Sequence, residues 1–164
     1  MDGKVTAVNN VTRFLDSRKV AYQAYETQTG KLGALETARF LGVEPETVVK
    51  TFVVTRDKPR KPLLAVVPGP RTVDLKLLAA ALGEKRVHLP TEREAEQLTG
   101  LQAGGISPLA LINKGFQVVI DSSAQNFSEI HISGGQRGVN IKLPVSDLVK
   151  ITNARFAFVC TNPK

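Results

Sequence analysis

The sequence predicts an α+β domain in which a mixed β-sheet is packed with several helices. Two patterns carry this: strand-like apolar runs recur along the chain, and between them lie short amphipathic stretches with helix caps at one end and glycine stops at the other. The third observation is size. At 164 residues, with 42% hydrophobic and 23% charged residues, the chain reads as one globular unit over residues 1–164, long enough to bury a core.

The elements follow in order. Val5, Val8, Val11 and Leu15 recur at helical spacing and predict an amphipathic helix over residues 4–18. Tyr22 and Ala24 mark a short strand, and Gly30 to Gly33 a loop. A helix over Leu35 to Leu41 ends at Gly42, and Pro45 opens a short helix to about Val49. Thr51 to Thr55 and Leu63 to Val67 are a strand pair whose mostly apolar residues imply cover on both faces. The tip between them holds the densest basic cluster, Arg56, Lys58, Arg60 and Lys61. Asp74 caps a helix that runs through Leu82 and stops at Gly83, with Leu75, Leu78, Ala79 and Leu82 as its buried stripe. Val87 to Leu89 is a strand, and Thr91 to Glu94 has capping-box spacing for a helix to about Thr99. Gln117 to Asp121, Glu129 to Ser133 and Val139 to Leu143 are strands; Pro144 opens a helix to about Val149, and Arg155 to Cys160 is the last strand.

Charge points outward. Lys plus Arg outnumber Asp plus Glu by 22 to 15, which fits a polyanionic partner such as nucleic acid, although the dispersed charges also fit a merely basic soluble protein. An aromatic share of 5% with no Trp argues against a surface built on several stacked bases. The single cysteine, Cys160, excludes an internal disulfide and reads as a buried structural thiol. No apolar run approaches the ~18 residues that span a bilayer, and the N-terminus lacks a signal-peptide layout, so no membrane partner and a cytoplasmic location are expected.

Most catalytic kits are missing. His88 and His131 are remote from each other in sequence and lie in strand-like runs, where a structural role is expected, and no metal site is read. Gly105-Ile106-Ser107-Pro108-Leu109 fails as a nucleophile elbow because Leu109 replaces the final glycine. Gly134-Gly135-Gln136-Arg137-Gly138 is neither a dinucleotide fingerprint nor a P-loop. What remains is Gly104-Gly105-Ile106-Ser107-Pro108. Two glycines bare the backbone while Ile106 and Pro108 stiffen the chain, so the loop can hold an ester, carboxylate or phosphate, or can be a tight turn. Lys50, at a helix-to-strand junction, is either a solvated charge or a cation beside a pocket. Ser133-Gly134-Gly135 supplies a second small-residue loop, and Asn140 a side-chain amide.

Thr47-Val48-Val49-Lys50-Thr51, Thr99-Gly100 with Gly104 to Leu109, and Ser133 to Gly138 together resemble three signature segments of the YbaK/EbsC family, in the same order and at similar separations. Val73 to Lys76 before Ala81-Leu82-Gly83 matches too, so the resemblance spans about residues 5–158. The family comprises freestanding aminoacyl-tRNA deacylases and the homologous editing domain of bacterial prolyl-tRNA synthetase. The resemblance implies a barrel-like mixed sheet surrounded by helices, a pocket for the aminoacylated 3′ end of tRNA, and hydrolysis of a mischarged ester without a cofactor. By position Lys50 matches the family's essential lysine and Gly104 the glycine whose backbone meets the substrate, and Ser133 and Tyr25 match further pocket positions. Thr51, Gly105, Ile106, Ser107, Pro108, Gly134, Gly135 and Asn140 are expected to bind substrate beside them. The chain departs from the family at Asn140, often an aspartate, at Leu101, often aromatic, and at Ala110, often glycine. The glycine-loop forms look nearest to the Cys-tRNA(Pro) deacylase branch. The expectation is a monomeric trans-editing hydrolase of Cys-tRNA(Pro), with prolyl-tRNA synthetase a candidate partner. The alternatives are a deacylase for another amino acid on tRNA(Pro) and a tRNA- or synthetase-binding module without catalysis.

Overall fold

A computed structural model of the chain describes residues 9–27, 33–57 and 61–161. The elements are α1 (Asn10–Ser17), β1 (Gln23–Glu26), α2 (Ala34–Leu41), β2 (Val49–Arg56), β3 (Leu63–Pro68), β4 (Thr72–Val73), α3 (Leu75–Leu82), β5 (Val87–His88), α4 (Glu92–Thr99), β6 (Gln117–Asp121), β7 (Glu129–Ser133), β8 (Val139–Pro144), α5 (Val145–Thr152), β9 (Arg155–Ala157) and β10 (Cys160–Thr161). The mixed α+β class expected from the sequence is the class observed. Val5, Val8, residues 30–32, Lys58 and Arg60, read above as parts of a helix, a loop and a hairpin tip, lie outside the described residues.

Local chemistry sets the ends of the elements. Asn9 caps α1 by accepting from the Thr12 N–H, and Asp74 caps α3 by accepting from the N–H groups of Lys76 and Leu77. Thr91 and Glu94 close a reciprocal capping box on α4. Gly42, Gly83 and Gly100 end α2, α3 and α4 in the left-handed conformation.

Three expectations shift. Pro45 opens only a single 3₁₀ turn, Pro45–Thr47, after which the β-branched Val48 is already extended. The strand therefore begins at Val49, and Lys50 lies inside it. α5 runs on to Thr152, where Asn153 provides a left-handed cap, and Pro144 precedes the helix instead of opening it. The expected last strand, Arg155 to Cys160, is broken after Ala157. The Val159 N–H donates to Asp121 Oδ1 at 2.8 Å while its carbonyl accepts from the Asp74 N–H at 2.7 Å, so the chain leaves one sheet and joins another. Cys160 is accordingly half-buried, and burial together with Asp121 pushes its thiol up to about 12, the state of an unreactive thiol.

The strands form three sheets, in the orders β5-β2-β3-β6-β9, β1-β8-β7 and β10-β4. In the largest, β2 lies antiparallel between β3 and β5, whereas β3, β6 and β9 run parallel to one another. β3 is buried at every residue, as its apolar run requires. Leu64 and Val66 face a core shared with Ile130, Ile132, Ile141 and Leu143 of the β1-β8-β7 sheet. Leu63, Ala65 and Val67 face a second core with Leu78 and Ala79 of α3. One isolated parallel bridge, Val48 to His131, links the two larger sheets.

Candidate functional site

The walls of the site come from the edge of β2. The Gly69 N–H donates to Val48 O at 2.7 Å, so the hydrogen-bonded pairs with β3 fall on Lys50, Phe52 and Val54. The peptide groups of Val49, Thr51 and Val53 then turn to the opposite edge, where β5 pairs only with Thr55 and Arg56. Pro68 sits opposite Val49, a position at which its missing N–H leaves no gap in the ladder. Beyond the Val48–His131 bridge a cavity of about 430 Å³ opens against this edge. Its far walls are Gly33, Ala34 and Thr37 of the α2 start, Leu89, Pro90, Glu92 and Ala95 around the α4 start, Ala103, Gly104 and Ile106, and Ser133, Val139 and Asn140.

Lys50 lines this cavity with its Nζ 5.4 Å from the centre of the Phe52 ring, a cation–π arrangement. Burial holds its ammonium below the usual lysine pKa, with Cys160 acting weakly the other way. Thr51 also lines the cavity, and its Oγ1 is shielded from solvent with no hydrogen-bond partner among the described residues. Such an orphaned hydroxyl is costly unless a ligand satisfies it. Gly104 reaches the cavity in a conformation that L side chains rarely adopt, φ +91°, and is exposed.

The remaining predicted residues divide. Ile106, Ser133 and Asn140 line the cavity; the Ser133 hydroxyl accepts from the Gly135 N–H at 3.2 Å, which shapes the second glycine loop. Tyr25 pairs with Asn140 across β1 and β8, and Ser133 pairs with Asn140 from β7, so these three stand in a row across one sheet. Tyr25 itself is set back, its hydroxyl donating to Gln23 Oε1 and its ring 5.8 Å from that of His131. Gly105, Ser107, Pro108, Gly134 and Gly135 are not in the cavity wall. A Cβ on Gly105 would stand 2.8 Å from Gln136 Cα, so this glycine serves a close approach of two backbones. Ser107 is fully buried and caps the 3₁₀ turn Pro108–Ala110 by accepting from the Leu109 N–H. Gly134 lies against Val139, and Gly135 against Ala110 and Val11.

Sequence reasoning passed over two contributions. The α2 and α4 starts enter the wall through tertiary packing that no local pattern announces. His131 is expected to be structural; buried, it places its Nδ1 3.0 Å from Oδ1 of the cavity-lining Asn140. The signal was available: period-two alternation puts His131 on the same strand face as Ser133.

With this geometry in view, likeness to known proteins becomes specific. The aminoacyl-tRNA editing domain pattern matches residues 31–151. EbsC of Enterococcus faecalis, which bears the name Cys-tRNA(Pro)/Cys-tRNA(Cys) deacylase, is 35% identical over 160 residues, covering 96% of each chain. A proline–tRNA ligase of Desulforamulus reducens is 39% identical over 84 residues, 51% of this chain and 14% of the ligase. Among solved structures, the hypothetical protein APE2540 superposes with a TM-score of 0.84 at 23% identity, covering 93% of this chain and all of that one. A protein described as a trans-editing enzyme for prolyl tRNA synthetase gives 0.80 at 22% identity, covering 95% of this chain and all of its own. These two superpositions establish the shared fold. The chain belongs to the aminoacyl-tRNA editing domain family.

Proposed function

We propose that this chain is a trans-editing hydrolase that cleaves the aminoacyl ester of mischarged tRNA, with Cys-tRNA(Pro) as its main substrate. The observation that carries the reading is the meeting of Lys50, Thr51 and Gly104 on one cavity of about 430 Å³, a volume typical of small-ligand pockets. Likeness to EbsC over 96% of both chains supports the substrate. In this reading Lys50 holds the terminal phosphate or ribose and fixes the ester. The backbone N–H of Gly104 stabilises the oxyanion, a role commonly worth about 3 kcal/mol per donor. Glu92 is the one carboxylate among the described cavity residues. The attacking group therefore comes from water or from the substrate. For a cysteinyl ester the sulfur attacks its own carbonyl carbon, the bond to the tRNA 3′-oxygen breaks, and the thiol proton passes to that oxygen; water then opens the thiolactone. Prolyl-tRNA synthetase is the partner that would deliver such a tRNA.

Multiple-turnover deacylation of Cys-tRNA(Pro) and Ala-tRNA(Pro) tests the reading, and a binding module would shift affinity without turnover. Lys50→Ala lowers kcat/KM by at least about tenfold, roughly 1.4 kcal/mol, in a folded protein. The working form of Lys50 is the cation, so enzymatic rate falls as pH rises through its lowered pKa. Lys50→Arg moves that alkaline limb out of range, because a guanidinium stays protonated. An unchanged limb in Lys50→Arg would remove Lys50 from the chemistry. Binding of tRNA weakens steeply with added salt, because counterions released into a saltier solution gain less entropy.

A further inference from the structure

The sheet face behind the cavity carries a buried polar pair that the chemistry above leaves unused. His131 is 4% exposed and Asn140 6% exposed, and Nδ1 of the one meets Oδ1 of the other at 3.0 Å. Asn140 lines the cavity; His131 sits behind it, with the Tyr25 ring tilted against it from β1. An imidazole and an amide can meet at this distance in two ways. Either the imidazole donates from Nδ1 to the amide oxygen, or the amide rotates and donates its N–H to an unprotonated Nδ1.

In the structure it is Oδ1 of Asn140 that faces Nδ1, and an amide oxygen only accepts. Nδ1 is therefore the donor as the pair stands, and Nε2 of the neutral ring keeps a lone pair. The alternative needs the amide to rotate and moves the ring proton to Nε2. The charged groups near the ring are Glu129 on its own strand and Lys142 on β8, which pair with each other at 3.7 Å. Val48 bridges from the edge of the large sheet, and Tyr25 contributes only its ring. Burial is the largest influence on the imidazole and holds its pKa below the usual value, with Lys142 acting the same way and Asn140 and Glu129 opposing. The ring is thus neutral at neutral pH, and its tautomer decides the contact.

We propose that His131 is a positioning residue: as the neutral Nδ1–H tautomer it donates to Asn140 Oδ1, locks the amide, and turns the Asn140 N–H groups toward the cavity. There, with the unpartnered Thr51 hydroxyl, they form a polar subsite for a hydrogen-bond acceptor of the aminoacyl group, a carbonyl oxygen or a sulfur lone pair, and disfavour an ammonium. The identity of that ligand rests on the deacylase reading; the geometry of the pair does not. An amide at 140 suits this task because a carboxylate would offer only acceptors, and would draw His131 into an ion pair.

The experiment is a long-range ¹H–¹⁵N correlation spectrum of the ¹⁵N-labelled full chain at neutral pH. The two histidines are assigned by loss of the His131 signals in His131→Phe. The expected result is a protonated Nδ1 and a bare Nε2, the reverse of the preference of a free histidine side chain. A protonated Nε2 would overturn the proposal, because Asn140 would then present its oxygen to the cavity. Kinetics on Cys-tRNA(Pro) give the second arm. His131→Phe lowers kcat by at least about fivefold with KM nearly unchanged, and His131→Gln, which keeps an N–H for Asn140 Oδ1, restores most of it. Equal loss in both variants at parental melting temperature overturns the positioning role. Should His131→Phe not fold, the tautomer of the parent, assigned through His131→Gln, still decides. A parent without deacylase activity would refute the proposed function and leave the tautomer result standing.

Discussion

Two glycine pairs, Gly104-Gly105 and Gly134-Gly135, look interchangeable in the sequence and behave differently in the molecule. Each contains one glycine at φ +91°, Gly104 in the first and Gly135 in the second. Yet Gly104 opens on the main cavity, whereas Gly135 fits against Ala110 and Val11. Gly105 and Gly135 let the two loops approach each other, since Gly105 admits the backbone of Gln136 just as Gly135 admits Ala110. The Arg137 Nε–H then ties the second loop to Ala103 O at 2.6 Å, beside Gly104. Three of the four glycines serve packing and one opens on the cavity. The packing glycines fix the place of the fourth.

Substituting across the pairs can break this contrast. The largest loss of stability is expected for Gly105→Ala, whose Cβ would meet main-chain atoms of Gln136 and Arg137 at 2.8–3.0 Å and has no flexible neighbour to displace. Overpacking of this kind costs about 3 kcal/mol, read as a fall in Tm of roughly 6–12 °C. A variant that melts within a degree of the parent would dissolve the proposed loop-to-loop contact. Gly104→Ala is expected to cost only about 1 kcal/mol, from its positive φ, while lowering deacylation at least about tenfold at unchanged tRNA affinity. Calorimetry and steady-state rates on the same preparation separate the two effects; full activity would make Gly104 a packing glycine like the others. Arg137→Ala is the mildest, about 1 kcal/mol or 2–4 °C in Tm, with faster amide exchange at Ala103 to Ile106. Unchanged exchange there would mean that the second loop does not steady the first.

The legible and illegible parts of the chain divide by range. Asp74, the Thr91–Glu94 box and the glycines at 42, 83 and 100 act within one helical turn, so their meaning is written beside them. The apolar run at Leu63 to Val67 announces a strand covered twice, and β3 is that strand. What failed depends on distant partners. The break after Ala157 is caused by Asp121 on β6, and no reading of Arg155 to Cys160 alone contains that carboxylate. Lys50 could be singled out, but its strand position follows from Gly69 binding Val48 O. In the same way, Gly105 and Gly134 look like ligand glycines until the atoms a Cβ would meet are known.

The isolated bridge between Val48 and His131 has a consequence for how such a molecule can diversify. Two sheets joined along a full ladder would leave no mouth, and two sheets never joined would leave the separation of their rims to side-chain chance. A single backbone link fixes the angle at which the rims part, and with it the room inside. Thr51, which faces the opening and whose hydroxyl has no partner among the described residues, can then be exchanged with little effect on the scaffold, because the opening is held by peptide groups and not by it. Under the proposed function, drift at this position would retune which aminoacyl group is accepted while the framework stayed constant.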